Sequence, residues 1–133
     1  MSVEPQALDL TGTFLRLRGD ASVEPLPVDA DFWPRISRGE LGSFHNEFLV
    51  TIHEFDADWP FWEMHPAGDE VVAVLSGSCI LQLEAARNAR EIPLGGPGRF
   101  VIVPKGAWHR ATVTAPCRLM FITAGEGTQH RPI

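Results

Sequence analysis

Glu63, His65 and Glu70 stand in the stretch WEMHPAGDEVVAVLSG, from Trp62 to Gly77, and His109 lies in a second segment, GRFVIVPKGAWHRATV. Two carboxylates and two imidazoles beside runs that read as buried are either surface decoration at strand ends or groups that converge on one point. In WPFWEMH the side chains alternate faces, so Glu63 and His65 point the same way as Trp59 and Phe61, and two apolar neighbours mark that face as interior. Pro66-Ala67-Gly68 breaks the strand and lets Glu70 return to the same face with Val72 and Val74. Val71, Ala73 and Leu75 take the other side, as in a strand covered on both faces. Pro104 ends one strand and Gly106 permits a turn, so His109 starts the next strand, facing inward with Ala111 and Val113. Nucleophilic chemistry finds no support, because Ser76 and Ser78 lack a G-x-S-x-G frame and no Ser-His-Asp arrangement follows from spacing. HExxH is absent, and Cys79 and Cys117, in no CxxC spacing, exclude a zinc finger or a thioredoxin-type motif and read as small buried apolar residues.

The elements that must position these residues are strands. Gly 12 and Pro 11 fall at intervals that would interrupt long helices. TFLRLRGD, FHNEFLVTIHEF, WPFWEMH, EVVAVLSG, SCILQLE, AREIPL, GRFVIVP, HRATVT and CRLMFIT are short apolar or alternating runs bounded by turn residues, the pattern of a β-sandwich or barrel. Ser76-Gly77-Ser78 and Ala85 to Arg90 read as tight hairpins, the latter with Asn88 tolerating a positive φ. Gly95 to Gly98 reads as a turn, because no helix follows to make it a phosphate cradle. The first forty residues carry one clear strand around Phe14 to Arg18 and otherwise resemble a wrapping arm.

At 133 residues the chain is expected to form one domain. Its apolar fraction of 44%, charged fraction of 21% and mean hydropathy of -0.02 are those of a globular protein rather than a disordered one. A formal charge of -6, a pI near 5.3 and the lack of a basic cluster argue against nucleic acid as a partner. No apolar window is long enough to span a membrane, and MSVEPQALDL has no signal pattern, so a cytoplasmic protein with no membrane partner is expected.

The two segments resemble the motifs of the cupin superfamily, G-x5-H-x-H-x3,4-E-x6-G and G-x5-P-x-G-x2-H-x3-N. The first reads here Glu63-x-His65-x4-Glu70-x6-Gly77, and the second Gly98-x5-Pro104-x-Gly106-x2-His109. Glu63 stands where the first histidine usually is, Val113 where Asn often is, and Ala57 in place of the opening glycine. The resemblance spans roughly Phe44 to Thr123. It implies an all-β, single-domain cupin barrel, a double-stranded β-helix of the jelly-roll type, formed by residues 44–133, with residues 1–43 as an arm on the barrel or on a dimer partner. Carried over position by position, it makes Glu63, His65, Glu70 and His109 the ligands of a divalent transition metal, which would stabilise two carboxylates in an apolar barrel. Were Glu63 to point aside, His65, Glu70 and His109 would still form a two-His-one-carboxylate set suited to non-haem iron. Oxygen-rich ligation suits Mn(II) or Fe(II), with Ni(II) or Zn(II) as competitors. Without metal, one carboxylate is expected to hold a proton more readily than free glutamic acid.

Trp59, Phe61, Val72, Trp108 and His53 are candidates for pocket lining, Trp108 because it adjoins His109. His53 shares its strand face with His45, Glu47, Leu49 and Thr51, opposite an apolar face of Phe48, Val50 and Ile52, which suggests a solvent-facing or hydrogen-bonded residue that at most reaches the cavity mouth. His130, in the tail TQHRPI, reads as exposed. Two functions compete: a metal-dependent oxygenase or isomerase acting on a small organic molecule, and a non-catalytic module binding metal or a small ligand as a sensor. The Pro-rich arm and four tryptophans suggest a homodimer.

Overall fold

The computed structural model describes residues 5–84 and 89–133. In chain order the elements are β1 (Thr13–Leu17), β2 (Val23–Pro27), a short helix α1 (Phe32–Ser37), β3 (Phe48–Phe55), β4 (Phe61–Met64), β5 (Glu70–Glu84), β6 (Ala89–Gly95), β7 (Phe100–Val103), β8 (His109–Thr123) and β9 (Gln129–Pro132). Every strand pairing is antiparallel. The all-β reading holds.

The frame is a pair of long strands. β5 and β8 run together from Glu70 opposite Thr123 to Leu83 opposite His109, with register shifts between Val74 and Cys79. The hairpin expected at Ser76-Gly77-Ser78 is therefore corrected to a bend within one continuous strand, since β5 pairs with the same partner on both sides of it. Gly77 has φ +73°, and a Cβ there would lie 2.0 Å from Pro116 O and 2.6 Å from Cys117 Cα, so only glycine lets β8 cross this closely. The second expected hairpin does link β5 to its neighbour β6, with Glu84 opposite Ala89, but residues 85–88 lie outside the described residues.

Because both long strands bend, their halves serve two facing sheets. One runs β2-β1-β3-β8-β5-β7 and the other β9-β4-β8-β5-β6. Val72, Val74, Leu119 and Phe121 from the first meet Cys79, Leu81, Leu83 and Ala111 from the second in one core. The Cys79 and Cys117 thiols, distant in sequence, touch beside the bend as free buried groups, and burial pushes both up in pKa, Cys79 to about 11.

Ahead of the barrel the chain carries two strands and a helix where the sequence suggested one strand. β2, VEPLP, escaped notice because its prolines lack N–H donors, which is tolerable on the outer strand of a sheet. Phe14, Leu26, Phe32, Phe44 and Leu49 pack as a second cluster between this segment and β3.

The faces of β3 are the reverse of those expected. Leu49, Thr51, His53 and Phe55 look inward, Leu49 to the second cluster and Phe55 to the main core. Phe48, Val50 and Ile52 look outward, joining an apolar row across the sheet: Leu15, Val50, Ile122, Val71 and Ile102 are successive register partners. With apolar residues on both sides, alternation alone could not choose the inner one.

Candidate metal centre

β4 and β5 are joined by a short break that turns the chain back on itself, and the Pro104-Lys105-Gly106 turn is tied to it. Gly106 N donates to His65 O at 3.0 Å and Lys105 N to Asp69 Oδ1 at 2.8 Å. Gly106, with φ +78°, supplies the left-handed residue this turn needs. His109 is thereby delivered opposite Glu63, its register partner across β4 and β8. Four ligand-type atoms from Glu63, His65, Glu70 and His109 lie within 4.8 Å of one another.

The individual distances define the arrangement. Glu63 Oε1 is 2.9 Å from His65 Nε2 and 3.8 Å from His109 Nε2, Glu70 Oε2 is 3.1 Å from His65 Nε2, and Glu70 Oε1 is 3.0 Å from His109 Nε2. His65, Glu70 and His109 are buried, at 4%, 1% and 0% exposure, whereas Glu63 is half-buried at the rim. Around them stands a second ring of partners: Thr123 Oγ1 donates to Glu70 Oε2 at 2.6 Å, His109 Nδ1 donates to Ala107 O at 3.0 Å, Thr128 Oγ1 lies 2.8 Å from His65 Nδ1, and His130 Nε2 donates to Glu63 Oε2 at 3.0 Å. The bond to Ala107 O places the His109 proton on Nδ1 and turns the Nε2 lone pair to the centre.

Burial alone would raise both carboxyl pKa values, but the imidazoles outweigh it. The His109 and His65 rings beside it bring Glu70 down to about 2, and His65 lowers Glu63. For His65, burial opposes the charged form, yet Glu63 and Glu70 raise it to about 9. The expectation of an easily protonated carboxylate is thus overturned: the neighbouring imidazoles offer opposite charge, and without metal the proton sits on His65.

Fit to a metal is decided by what these contacts leave over. His65 Nε2, Glu70 Oε1 and His109 Nε2 are buried and make no hydrogen bond of acceptable geometry. Three orphaned atoms aimed at one point, two of them imidazole nitrogens, suit a divalent cation, because buried polar atoms without partners are costly and a cation satisfies them together. The residues fit.

The other sequence candidates fall in different places. Trp59 is buried with its ring 6.0 Å from His109, and Val72 is buried in the core two residues beyond Glu70. Phe61 keeps the parity of Glu63 but sits at the rim, 4.8 Å ring to ring from His130. Trp108 turns away from the cluster, and its ring carries the Arg131 guanidinium at 4.6 Å. His53 is half-buried among Phe14, Trp33, Phe55 and Phe121, and burial lowers its pKa while the Glu63 charge raises it more weakly. His45 is exposed and pairs with Glu126. Sequence reasoning missed Thr123, Thr128 and His130. Thr123 shares the inward parity of Phe121 and was findable, but the partnership of β9 with β4 spans too much chain for any local pattern to show.

No protein-family model and no curated protein matches the chain. Solved structures do. A cupin-2 domain containing protein from Shewanella frigidimarina is 25% identical over 56% of this chain and 68% of that one, with TM-score 0.45. Fe(II)-HppE with an alternative substrate is 21% identical over 57% of this chain and 42% of that one, TM-score 0.48. Oxalate oxidase in complex with the substrate analogue glycolate is 13% identical over 62% of this chain, TM-score 0.51, and the match spans 45% of that chain. At such identity the likeness to oxalate oxidase is one of fold. Two facing antiparallel sheets joined by two long bent strands, with both spaced motifs converging between them, make the barrel a cupin barrel. No helix among the described residues is long and apolar enough to cross a membrane.

Proposed function

We propose that this cupin-fold chain is a metal-dependent enzyme in which Glu63, His65, Glu70 and His109 hold one divalent transition metal and a small organic substrate enters through the barrel mouth. The observation that carries this is the set of orphaned buried atoms on His65, Glu70 and His109, with Glu63 Oε1 alongside. A bound Fe(II) or Mn(II) would supply Lewis acidity or dioxygen chemistry, so the reaction is of the oxygenase or isomerase type. Glu70, braced by Thr123, fixes the deep end of the site. His65 gives up its proton on loading and then presents Nε2. Phe55, Trp59 and Phe121, in mutual ring contact, would offer an apolar wall to the body of a substrate whose oxygen faces the metal. His53, whose ring lies against Phe55 and Phe121, would orient the substrate by a hydrogen bond. The test is metal-loaded turnover of small hydroxy acids and carbonyl compounds, followed by mass spectrometry with and without dioxygen. Metal and ligand binding without any product would favour the sensory module instead.

The chain is further proposed to act as a homodimer. The outward row of Leu15, Val50, Ile122, Val71 and Ile102 is flanked by Ile52, Met120, Ala73 and Phe100 on one side and by Leu17 and Phe48 on the other. At about 4.8 Å between strands and roughly 6.8 Å between same-face rows, this patch spans about 400 Å2, with Val50 and Ala73 already covered by their neighbours. That is half of the roughly 800 Å2 per partner in a standard interface, the right size for the apolar centre of a pair of like chains. The Glu54–Arg118 ion pair at its border gives a polar rim. Ile102→Asp, at a 56% exposed position, should leave a folded monomer by light scattering, and a wild-type monomer at micromolar concentration would contradict the pairing. A reducing, cytoplasmic setting fits two touching thiols that stay unbridged. Residues 44–133 would then be the barrel, and residues 1–43 the arm that extends one of its sheets.

A further inference from the structure

β9 lies beside β4 with alternate residues on opposite faces: Trp62 opposite Arg131, Glu63 opposite His130, Met64 opposite Gln129. On the inward face, the His130 bond occupies Glu63 Oε2 at 3.0 Å and leaves Oε1 as the oxygen facing His65. The Phe61 ring meets the His130 ring edge to face, interplanar angle 89°, and so fixes the imidazole plane. Two residues earlier, Thr128 Oγ1 donates its one proton to Gly125 O at 2.9 Å, so toward His65 Nδ1, 2.8 Å away, it can only accept. His65 must therefore keep a proton on Nδ1, and the nitrogen it can free is Nε2. On the outward face, Arg131 is held between Trp108 at 4.6 Å and Trp62 at 5.5 Å and pairs with Glu84.

We infer that β9 and Thr128 just before it position the metal centre: Thr128 fixes the ligating tautomer of His65, and His130 holds Glu63 to a single ligating oxygen, keeping open for substrate the position a chelating Glu63 would fill. Arg131 stacks on the outward face without touching the site, and the inward pair tunes it. This rests on the metal-binding reading above, and it concerns residues that lie outside both spaced motifs.

Titration of the full chain with Co(II) alone, followed by binding isotherm and visible d–d absorption, tests it. His130→Ala and Thr128→Val should each weaken Co(II) binding by about 10- to 100-fold. His130→Ala should also shift the spectrum to weaker bands of higher coordination number as the freed Oε2 joins Oε1. His130→Gln, which restores an N–H donor, and Thr128→Ser, which restores the hydroxyl, should recover both readouts. Arg131→Ala should leave the spectrum unchanged. Wild-type affinity and spectrum in His130→Ala and Thr128→Val would overturn the inference alone, as would an equal spectral shift in Arg131→Ala. A wild-type chain that takes up no Co(II) would overturn the metal reading and the inference with it.

Discussion

The site has a floor and a rim, and each contributes a glutamate. On the floor, Glu70 is 1% exposed, braced by Thr123 and faced by two imidazoles, all on or beside the long strands β5 and β8. At the rim, Glu63 is half-buried on the four-residue β4, and its support comes from His130 on the equally short β9. The same side chain thus does two jobs. A fixed, buried carboxylate supplies charge and rigidity, and a half-exposed one held by a single imidazole can be adjusted. The floor should decide whether metal binds, and the rim how many positions it leaves open.

Removing the floor carboxylate should have the largest effect. Glu70→Gln, or His65→Ala, should abolish the metal-induced rise in melting temperature, each variant being compared with its own metal-free state. In the wild type, a hundredfold excess of metal over its dissociation constant should add about 2.7 kcal/mol of stability. A full wild-type rise in either variant would erase the distinction between floor and rim. Glu63→Gln keeps an oxygen but loses the charge, and should weaken Mn(II) binding on the order of a hundredfold while the metal-free melting curve stays cooperative. Loss as complete as that of Glu70→Gln would move Glu63 onto the floor.

Acidity sharpens the same contrast. His65 holds its proton in the metal-free protein up to about pH 9 and must release it to bind, so metal affinity should rise about tenfold per unit between pH 7 and about 9, then level off. The metal-free protein should behave oppositely. The raised pKa of His65 stabilises the fold fully below about 6.5 and ceases to as pH rises through 9, while the lowered pKa of Glu70 stabilises it above about 4.5 and is lost as pH falls towards 2. Calorimetry in buffers of different ionisation enthalpy would count the proton; none released at pH 7 would contradict the assignment to His65. The smallest effect belongs to Arg131. Arg131→Ala should cost about 1 kcal/mol by denaturant unfolding, since its ion pair is exposed and only the stacking on Trp108 and Trp62 is substantial.

The floor was legible in the sequence and the rim only in part. His65, Glu70, Pro104, Gly106 and His109 sit at a strand end and a turn that a short window shows, and the resemblance of their spacing to two known motifs marked the three ligand-type residues among them. Gly77 shows the limit of such a window. A glycine between serines signals a change of direction, but whether the strand reverses or bends depends on Pro116 and Cys117 crossing it, 39 and 40 residues on. The inner face of β3 was misread for a related reason: its outward residues are apolar too, and only the pairing of distant strands joins them into the row from Leu15 to Ile102. His130 reads as an exposed tail residue and is one, but its bond to Glu63, like that of Thr128 to His65, was invisible because a four-residue strand acquires its meaning only from β4.

The proposed function stands on one divalent metal held among Glu63, His65, Glu70 and His109. Anomalous diffraction from crystals of the Mn(II)-loaded protein, recorded near the manganese edge, tests it most directly. One strong peak is expected within bonding distance of Glu63 Oε1, His65 Nε2, His109 Nε2 and a Glu70 oxygen, with Glu63 Oε2 still on His130. A peak elsewhere, or none at this position in a crystal grown with saturating Mn(II), would contradict it.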